Sequence, residues 1–175
     1  FESKDQGAKN SGMGGAYSSV SNSVWTVFTN PAGLTSLRFP EIAVSYSQPF
    51  GLSELQTISA VGSFPTESYG SFGIGISRSG YDLYQETTFQ TSYGHELFEP
   101  FRLGYSVSVH HVSIKNYGSA ASYSLDAGYI YQPVDWLKLG STFYNLTQST
   151  IGISKDQLPI IFRTGGSIKV IKELY

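Results

Sequence analysis

The chain has no cysteine. Disulfides, thiolate metal centres and thiol nucleophiles are therefore excluded. Charge is scarce: Asp, Glu, Lys and Arg make up 14% of the residues, against about a quarter in water-soluble domains. The net charge of −2 offers no basic face, so nucleic acid is not an expected partner. No stretch approaches the ~18–20 consecutive apolar residues that a transmembrane helix needs. There is no initiating Met and no visible leader before Phe1, and Lys169 to Tyr175 reads as a strand running into a turn. The expectation is a mature or trimmed chain that continues beyond Tyr175.

What is present points to β structure. The 13 Tyr and 11 Phe bring the aromatic share to 15%, and there are 19 Gly. Yet only 40% of the chain is hydrophobic and the mean hydropathy is −0.12. A helical membrane protein is far more apolar. A transmembrane β-barrel shows only every second residue to lipid, so a middling hydropathy suits it. A soluble all-β sandwich has the same composition, and composition alone leaves both open.

Two regions follow from the pattern: residues 1–38 and residues 39–175. The first is rich in Gly, Ser and Asn, with an apolar run at Val24, Trp25, Val27 and Phe28. It allows a helix around Ala16–Phe28, weakened by its serines, and Asn30-Pro31 ends it, because proline forces its predecessor out of helical geometry. From Glu41 the period is two. Eight strands are predicted, near 41–48, 55–65, 70–79, 83–95, 101–115, 121–132, 136–146 and 159–171. Most run to about 9–13 residues, the ~9–11 needed to cross a bilayer at a tilt rather than the ~5–6 usual in soluble sheets. Phe72, Ile74 and Ile76 alternate with Ser71, Gly73, Gly75 and Ser77. Leu103, Tyr105, Val107 and Val109 alternate with Arg102, Gly104, Ser106 and Ser108. The apolar set is expected to face lipid and the small polar set a lumen. Tyr81, Tyr84, Tyr117, Tyr131 and Trp136 fall at strand ends, as an interfacial girdle requires. The alternation slips at His110-His111, which predicts a bulge there. Turns are expected at Pro65-Thr66-Glu67-Ser68, Ser79-Gly80-Tyr81-Asp82, Tyr117-Gly118-Ser119 and Gln132-Pro133-Val134-Asp135. The predicted class is all-β, an antiparallel up-and-down transmembrane barrel led by a plug-like segment.

Several residues invite a chemical reading. Gly12, Gly14 and Gly15 follow no strand and lack the Lys-Ser/Thr of a P-loop, so tight packing of the plug inside the wall is expected instead of phosphate binding. Asn30-Pro31-Ala32-Gly33 reads as a turn ending the plug, or as a hinge at a substrate exit. Arg102, His110, Asp126 and Arg163 are the lumen-facing candidates, with Lys169 beside them. With a hairpin centred on Gly118, facing residue numbers sum to about 236, which places Asp126 near His110. A His–Asp pair without a third positioned group is a lumen ion pair or plug contact rather than a catalytic dyad. His110 and His111 point to opposite faces of a strand and His95 stands alone, so no metal site is expected. Asn145-Leu146-Thr147 matches a glycosylation sequon of no consequence in a bacterial barrel. No enzyme activity and no cofactor are expected.

The segment Ser11-Gly12-Met13-Gly14-Gly15-Ala16-Tyr17, followed by Val27-Phe28-Thr29-Asn30-Pro31-Ala32-Gly33-Leu34, resembles the opening of outer-membrane barrels of the FadL/PorV-like group. Glu41-Ile42-Ala43-Val44-Ser45-Tyr46 and Leu158-Pro159-Ile160-Ile161-Phe162-Arg163-Thr164-Gly165 look like strands of the PorV/PorQ-like proteins of Bacteroidetes-type bacteria. The resemblance implies a fourteen-stranded barrel in the outer membrane of a Gram-negative-type cell, with the N-terminal segment folded into its lumen. It implies contact with outer-membrane lipid. It further implies either an accessory role in type IX protein secretion, with secretion-system proteins as partners, or passage of a hydrophobic small molecule as in the fatty-acid transporters. Short loops, and Ser21-Asn22-Ser23-Val24-Trp25 where the transporters usually carry an acidic run, favour the PorV-like side. A soluble all-β structural domain is the third reading; it requires the Phe72/Ile74/Ile76 face to be buried against a second sheet.

Overall fold

Period-two alternation becomes strand almost wherever it occurs. The computed structural model describes residues 6–66, 68–152 and 156–170. Its strands are β1 Glu41–Ser47, β2 Thr57–Thr66, β3 Gly70–Tyr81, β4 Tyr84–Phe98, β5 Phe101–Ile114, β6 Gly118–Val134, β7 Leu137–Tyr144 and β10 Ile161–Ile168. A two-stranded ribbon, β8 Thr150–Ile151 and β9 Asp156–Gln157, interrupts the run between β7 and β10. The eight main strands form one antiparallel sheet in the order β1-β2-β3-β4-β5-β6-β7-β10, each beside its neighbour in sequence. Among the described residues the sheet does not close, and β1 and β10 are its edges.

The two faces are opposite in character. On β3, Ser71, Gly73, Gly75, Ser77 and Ser79 are buried while Phe72, Ile74 and Ile76 are about half exposed. The same division runs through β5 and β6, where Ser106, Ser108, Ser122, Ser124 and Asp126 are buried and Tyr105, Val107, Tyr123 and Leu125 are exposed. On β1, Ile42 and Val44 are 82% and 77% exposed. A water-soluble sheet buries its large apolar face; this one buries the small polar face.

The N-terminal segment covers that inner face. It holds two short helices, α1 Ala8–Gly12 and α2 Thr26–Thr29, and a 3-10 helix at Pro31–Ser36. The apolar core lies between it and the sheet: Val24, Trp25, Val27, Phe28, Leu34 and Leu37 pack with Val61 of β2. Small side chains on the sheet make this contact possible. A Cβ on Gly73 would lie 2.5 Å from Val27 Cγ2, and one on Gly75 would overlap the Phe28 ring.

Four expectations need correction. A helix does not span Ala16–Phe28; regular helix there is the single turn α2, and Asn30 turns to extended geometry at φ −143°. The serines at 18, 19, 21 and 23 compete for backbone bonds, which disfavours a longer helix. No bulge occurs at His110-His111, where both ladders pair without a shift. The irregularities lie at Glu96/Phe98 and Tyr131/Val134. Val112 and Ile114 break the alternation because the inner face turns apolar at the end of β5, not because the ladder slips. The β5–β6 hairpin turns at Lys115–Tyr117, with Asn116 at φ 68° and Gly118 already pairing Ile114. Facing residues therefore sum to 232 rather than 236, and His110 faces Ser122 while Asp126 faces Ser106. Finally, Pro65, Thr66 and Ser79–Tyr81 belong to strands rather than turns. Glu67 of the expected 65–68 turn, and residues 171–175 of the last expected segment, lie outside the described residues.

Candidate functional site

Three glycines stand in register across the middle of the sheet: Gly94 of β4 pairs Gly104 of β5, which pairs Gly128 of β6. All three belong to the inner face. Asn30-Pro31-Ala32 lies on this row. A Cβ on Gly94 would stand 2.5 Å from the Pro31 carbonyl oxygen, one on Gly104 would overlap the backbone of Pro31 and Ala32, and one on Gly128 would overlap Asn30 Oδ1. Gly140 of β7 extends the seat, lying under the backbone of Ser18 and Ser19. The sheet is shaped to receive the segment, because only glycine lets two backbones approach so closely.

Asn30 is the anchor. It is 0% exposed. Its Nδ2 donates to the carbonyl oxygens of Ser18 at 2.7 Å and Tyr129 at 3.1 Å, while Oδ1 accepts from Ala32 N–H at 3.2 Å and caps the 3-10 helix. The amide thus joins two parts of the segment to β6. Gln90 and Ser92 of β4 donate to the Val27 carbonyl at 2.8 and 3.0 Å. Tyr144 Oη donates to the Thr29 carbonyl. Lys138 Nζ reaches Ser21 Oγ at 2.8 Å, and Arg102 Nη1 reaches Ser36 Oγ at 3.1 Å. Strands β4 to β7 therefore all hold the segment by polar contacts as well as by the apolar core.

Beside the segment, toward the β3–β4 and β5–β6 hairpins, the inner face borders a chamber of roughly 110 Å³. Hydroxyls and amides dominate its sheet side, including Ser77, Thr88, Gln90, Ser108 and Ser124; Phe28 of the segment and Leu158–Pro159 border it as well. His110 bridges two strands there, with Nδ1 3.1 Å from Thr88 Oγ1 and Nε2 2.9 Å from Ser124 Oγ. Asp126 Oδ1 accepts the Asn145 N–H at 2.9 Å.

The expected site residues divide accordingly. Asn30, Pro31, Ala32 and Gly33 are buried at the glycine row. Gly12 and Gly14 are exposed with open space where a Cβ would stand, so the tight packing expected of them is not seen. Gly14 and Gly15 instead carry φ 59° and 81°, turning the chain out of α1. Arg102, His110, Asp126 and Arg163 all lie on the inner face. They do not form one cluster: Arg102 contacts Ser36 and lies 3.7 Å from Glu96, and Arg163 lies over the Tyr144 ring at 5.8 Å from its centroid. His110 and Asp126 both line the chamber. His111 points outward, and His95 stacks between Tyr93 and Tyr105. Among the described residues no group of His, Asp or Glu has metal-binding geometry.

Sequence reasoning read Asn145 only as part of a sequon and missed its place in the structure. It is buried at φ 57°, donates from Nδ2 to the Leu158 carbonyl at 2.8 Å, and accepts the Ser149 N–H at 3.0 Å. It pins the 145–160 excursion to the chamber. An Asn immediately after the last alternating residue of a strand is the available signal, since Asn tolerates left-handed backbone and bonds locally. Compared with known protein families, curated proteins and solved structures, the chain matches none.

Proposed function

We propose that this chain is wall and plug of a bacterial outer-membrane β-barrel, acting as an accessory or binding barrel of the PorV-like kind linked to type IX protein secretion. The observation that carries the reading is the inverted sheet: large apolar side chains point outward and exposed, while Gly, Ser and Asp126 are covered by residues 6–37. A continuous apolar face of this kind is not what soluble monomers leave open to water. In a bilayer it is the required surface, with Tyr81, Tyr84, Tyr117, Tyr131 and Trp136 exposed near strand ends at the interface. Lipid is thus the first partner.

A soluble sandwich needs a second layer on the outer face, and among the described residues the apolar core lies wholly on the inner side. A membrane wall, in turn, needs the edges of β1 and β10 paired, because each unbonded backbone group in hydrocarbon costs several kcal/mol. Further strands completing a larger barrel, fourteen in the resemblance, meet that need. Between the two membrane readings, a channel for hydrophobic molecules calls for an apolar pocket between plug and wall. The chamber there is hydroxyl-rich and the segment is tied to four strands, which favours a plugged binding platform.

The test is expression of the full-length protein in a Gram-negative host. Recovery in the outer-membrane fraction, dependence on detergent, and a faster-migrating band in unheated denaturing gels are expected. A monodisperse protein that stays soluble without detergent would refute the barrel. Loss of the gene in its native host should strand secreted cargo in the periplasm; unaltered secretion would remove the accessory role while leaving the barrel standing.

A further inference from the structure

The loop between β1 and β2 carries an aromatic residue that its own turn does not call for. Leu52 N–H donates to the Pro49 carbonyl at 3.1 Å, and between them Phe50 and Gly51 carry φ 57° and 70°. Two successive positive φ values make the turn in which Asn-Gly is favoured. Phe in that geometry is strained. At 92% exposure, little packing within the molecule offsets the strain. The loop also divides between the two faces of the sheet. Pro49, Glu54 and Leu55 border a space on the inner face with Ser45 and Ser59. Gln48 continues the outward set of β1, after Ile42, Val44 and Tyr46. Tyr46 Oη donates to Gln48 Oε1 at 3.0 Å, and Gln48 Nε2 donates to the Gly51 carbonyl at 3.0 Å. These two bonds tie the Phe50-Gly51 turn to the outward side of the strand. Phe50 thereby extends the apolar strip of Ile42, Val44 and Tyr46 past the end of β1. Tyr81 and Tyr117 stand exposed at the same end of the sheet, where β3 and β5 also finish.

We propose that Phe50 is a membrane-interface anchor, which enters the headgroup–acyl boundary of the bilayer leaflet at this end of the wall. The proposal rests on the lipid-facing reading of the outer sheet and is independent of any role in secretion. Apolar side chains at that boundary sit about 5–10 Å deep, and burial there supplies the stabilisation that the strained turn lacks in water. The pocket of a partner protein is the competing occupant. Continuity favours lipid: no charged residue falls between Tyr46 and Phe50, and the strip runs on from the outer face without a break. Glu54, on the inner side of the same loop, stays in water.

The experiment places single cysteines at Phe50, Glu54 and Ile74 of the full-length protein, attaches a nitroxide to each, and reconstitutes the protein alone in phosphatidylcholine vesicles. Spin-label collisions with oxygen, which concentrates in hydrocarbon, are compared with collisions with a water-soluble nickel chelate. Ile74→Cys should report the greatest depth, Phe50→Cys an intermediate depth, and Glu54→Cys water. If the label at 50 is as open to nickel as the label at 54 while the label at 74 is deep, the lipid-facing wall stands and the anchor is overturned. If the label at 74 is also in water, the wall reading fails and the anchor fails with it. Phe50→Asn gives a second measurement that needs no label. Asn-Gly suits this turn better than Phe-Gly, so on backbone grounds the variant is neutral or stabilising. With the anchor, its unfolding constant in urea-treated vesicles should rise by more than the roughly twofold of an ordinary surface change. A variant as stable as wild type, or more stable, would overturn the proposal.

Discussion

Asn30 shows how much one side chain carries. Its amide meets two carbonyl oxygens from separate parts of the chain and one N–H of its own turn. Asn30→Ala removes a donor from both buried carbonyls and the acceptor from Ala32 N–H, at about 1–3 kcal/mol. Asn30→Asp is worse, because it sets a carboxylate against the same carbonyl oxygens. Urea unfolding should rank stability wild type, then N30A, then N30D; an N30D protein as stable as wild type would contradict the anchor. Gly104 carries the complementary role. In Gly104→Val the added Cβ overlaps the backbone of Pro31 and Ala32, which cannot rotate away as a side chain does. Overpacking of this kind costs about 1–3 kcal/mol. Limited proteolysis should then cut within residues 6–37 faster than in wild type, while Gly62→Ala, whose Cβ would meet its nearest atoms at an ordinary 3.8 Å, should leave the segment protected. The Asn-Pro-Ala-Gly motif was legible as a turn. Its role as anchor was not, since the atoms it bonds lie at Ser18 and Tyr129, and only folding brings those together.

At the scale of elements, the strands were legible because alternation is local: whether residue i and residue i+2 are alike is written in consecutive letters. The small residues of the inner face were legible for the same reason. Register was not. It depends on which residue occupies the turn: with Asn116 at positive φ the hairpin centres on residue 116 rather than Gly118, and the partner of each β5 residue moves by four. The His110–Asp126 pairing expected from that centre dissolves, and His110 bonds Thr88 and Ser124 instead. The outward face makes its own prediction. Ile74, near the middle of β3, points outward. Ile74→Lys should cost about 2–4 kcal/mol in lipid vesicles if that face lies near the bilayer midplane. The same change at a water-exposed position is near neutral. Folding titrations in vesicles separate the two, and a neutral result would argue against a lipid-facing β3.

At the scale of the molecule, the segment and the sheet share one apolar core, built from Val27, Phe28 and Leu34 on one side and Val61 on the other. A chain lacking residues 1–38 loses that core and exposes Ser- and Gly-rich strands on the inner face. Its midpoint of urea unfolding should fall well below that of the intact protein, and adding the excised segment as a peptide should restore part of the difference. A truncated protein of undiminished stability would show that the sheet stands without the N-terminal segment.

The sequence by itself determined the all-β class, the inverted faces and the position of the Asn30–Gly33 turn, because each depends on residues close together along the chain. The tertiary structure alone decided that Gly94, Gly104 and Gly128 align into a seat, that Asn145 ties an excursion to the chamber, and that Asp126 and Ser108 face the same small space. Those are relations between residues tens of positions apart, set by register and by close backbone approach, and no local pattern encodes either.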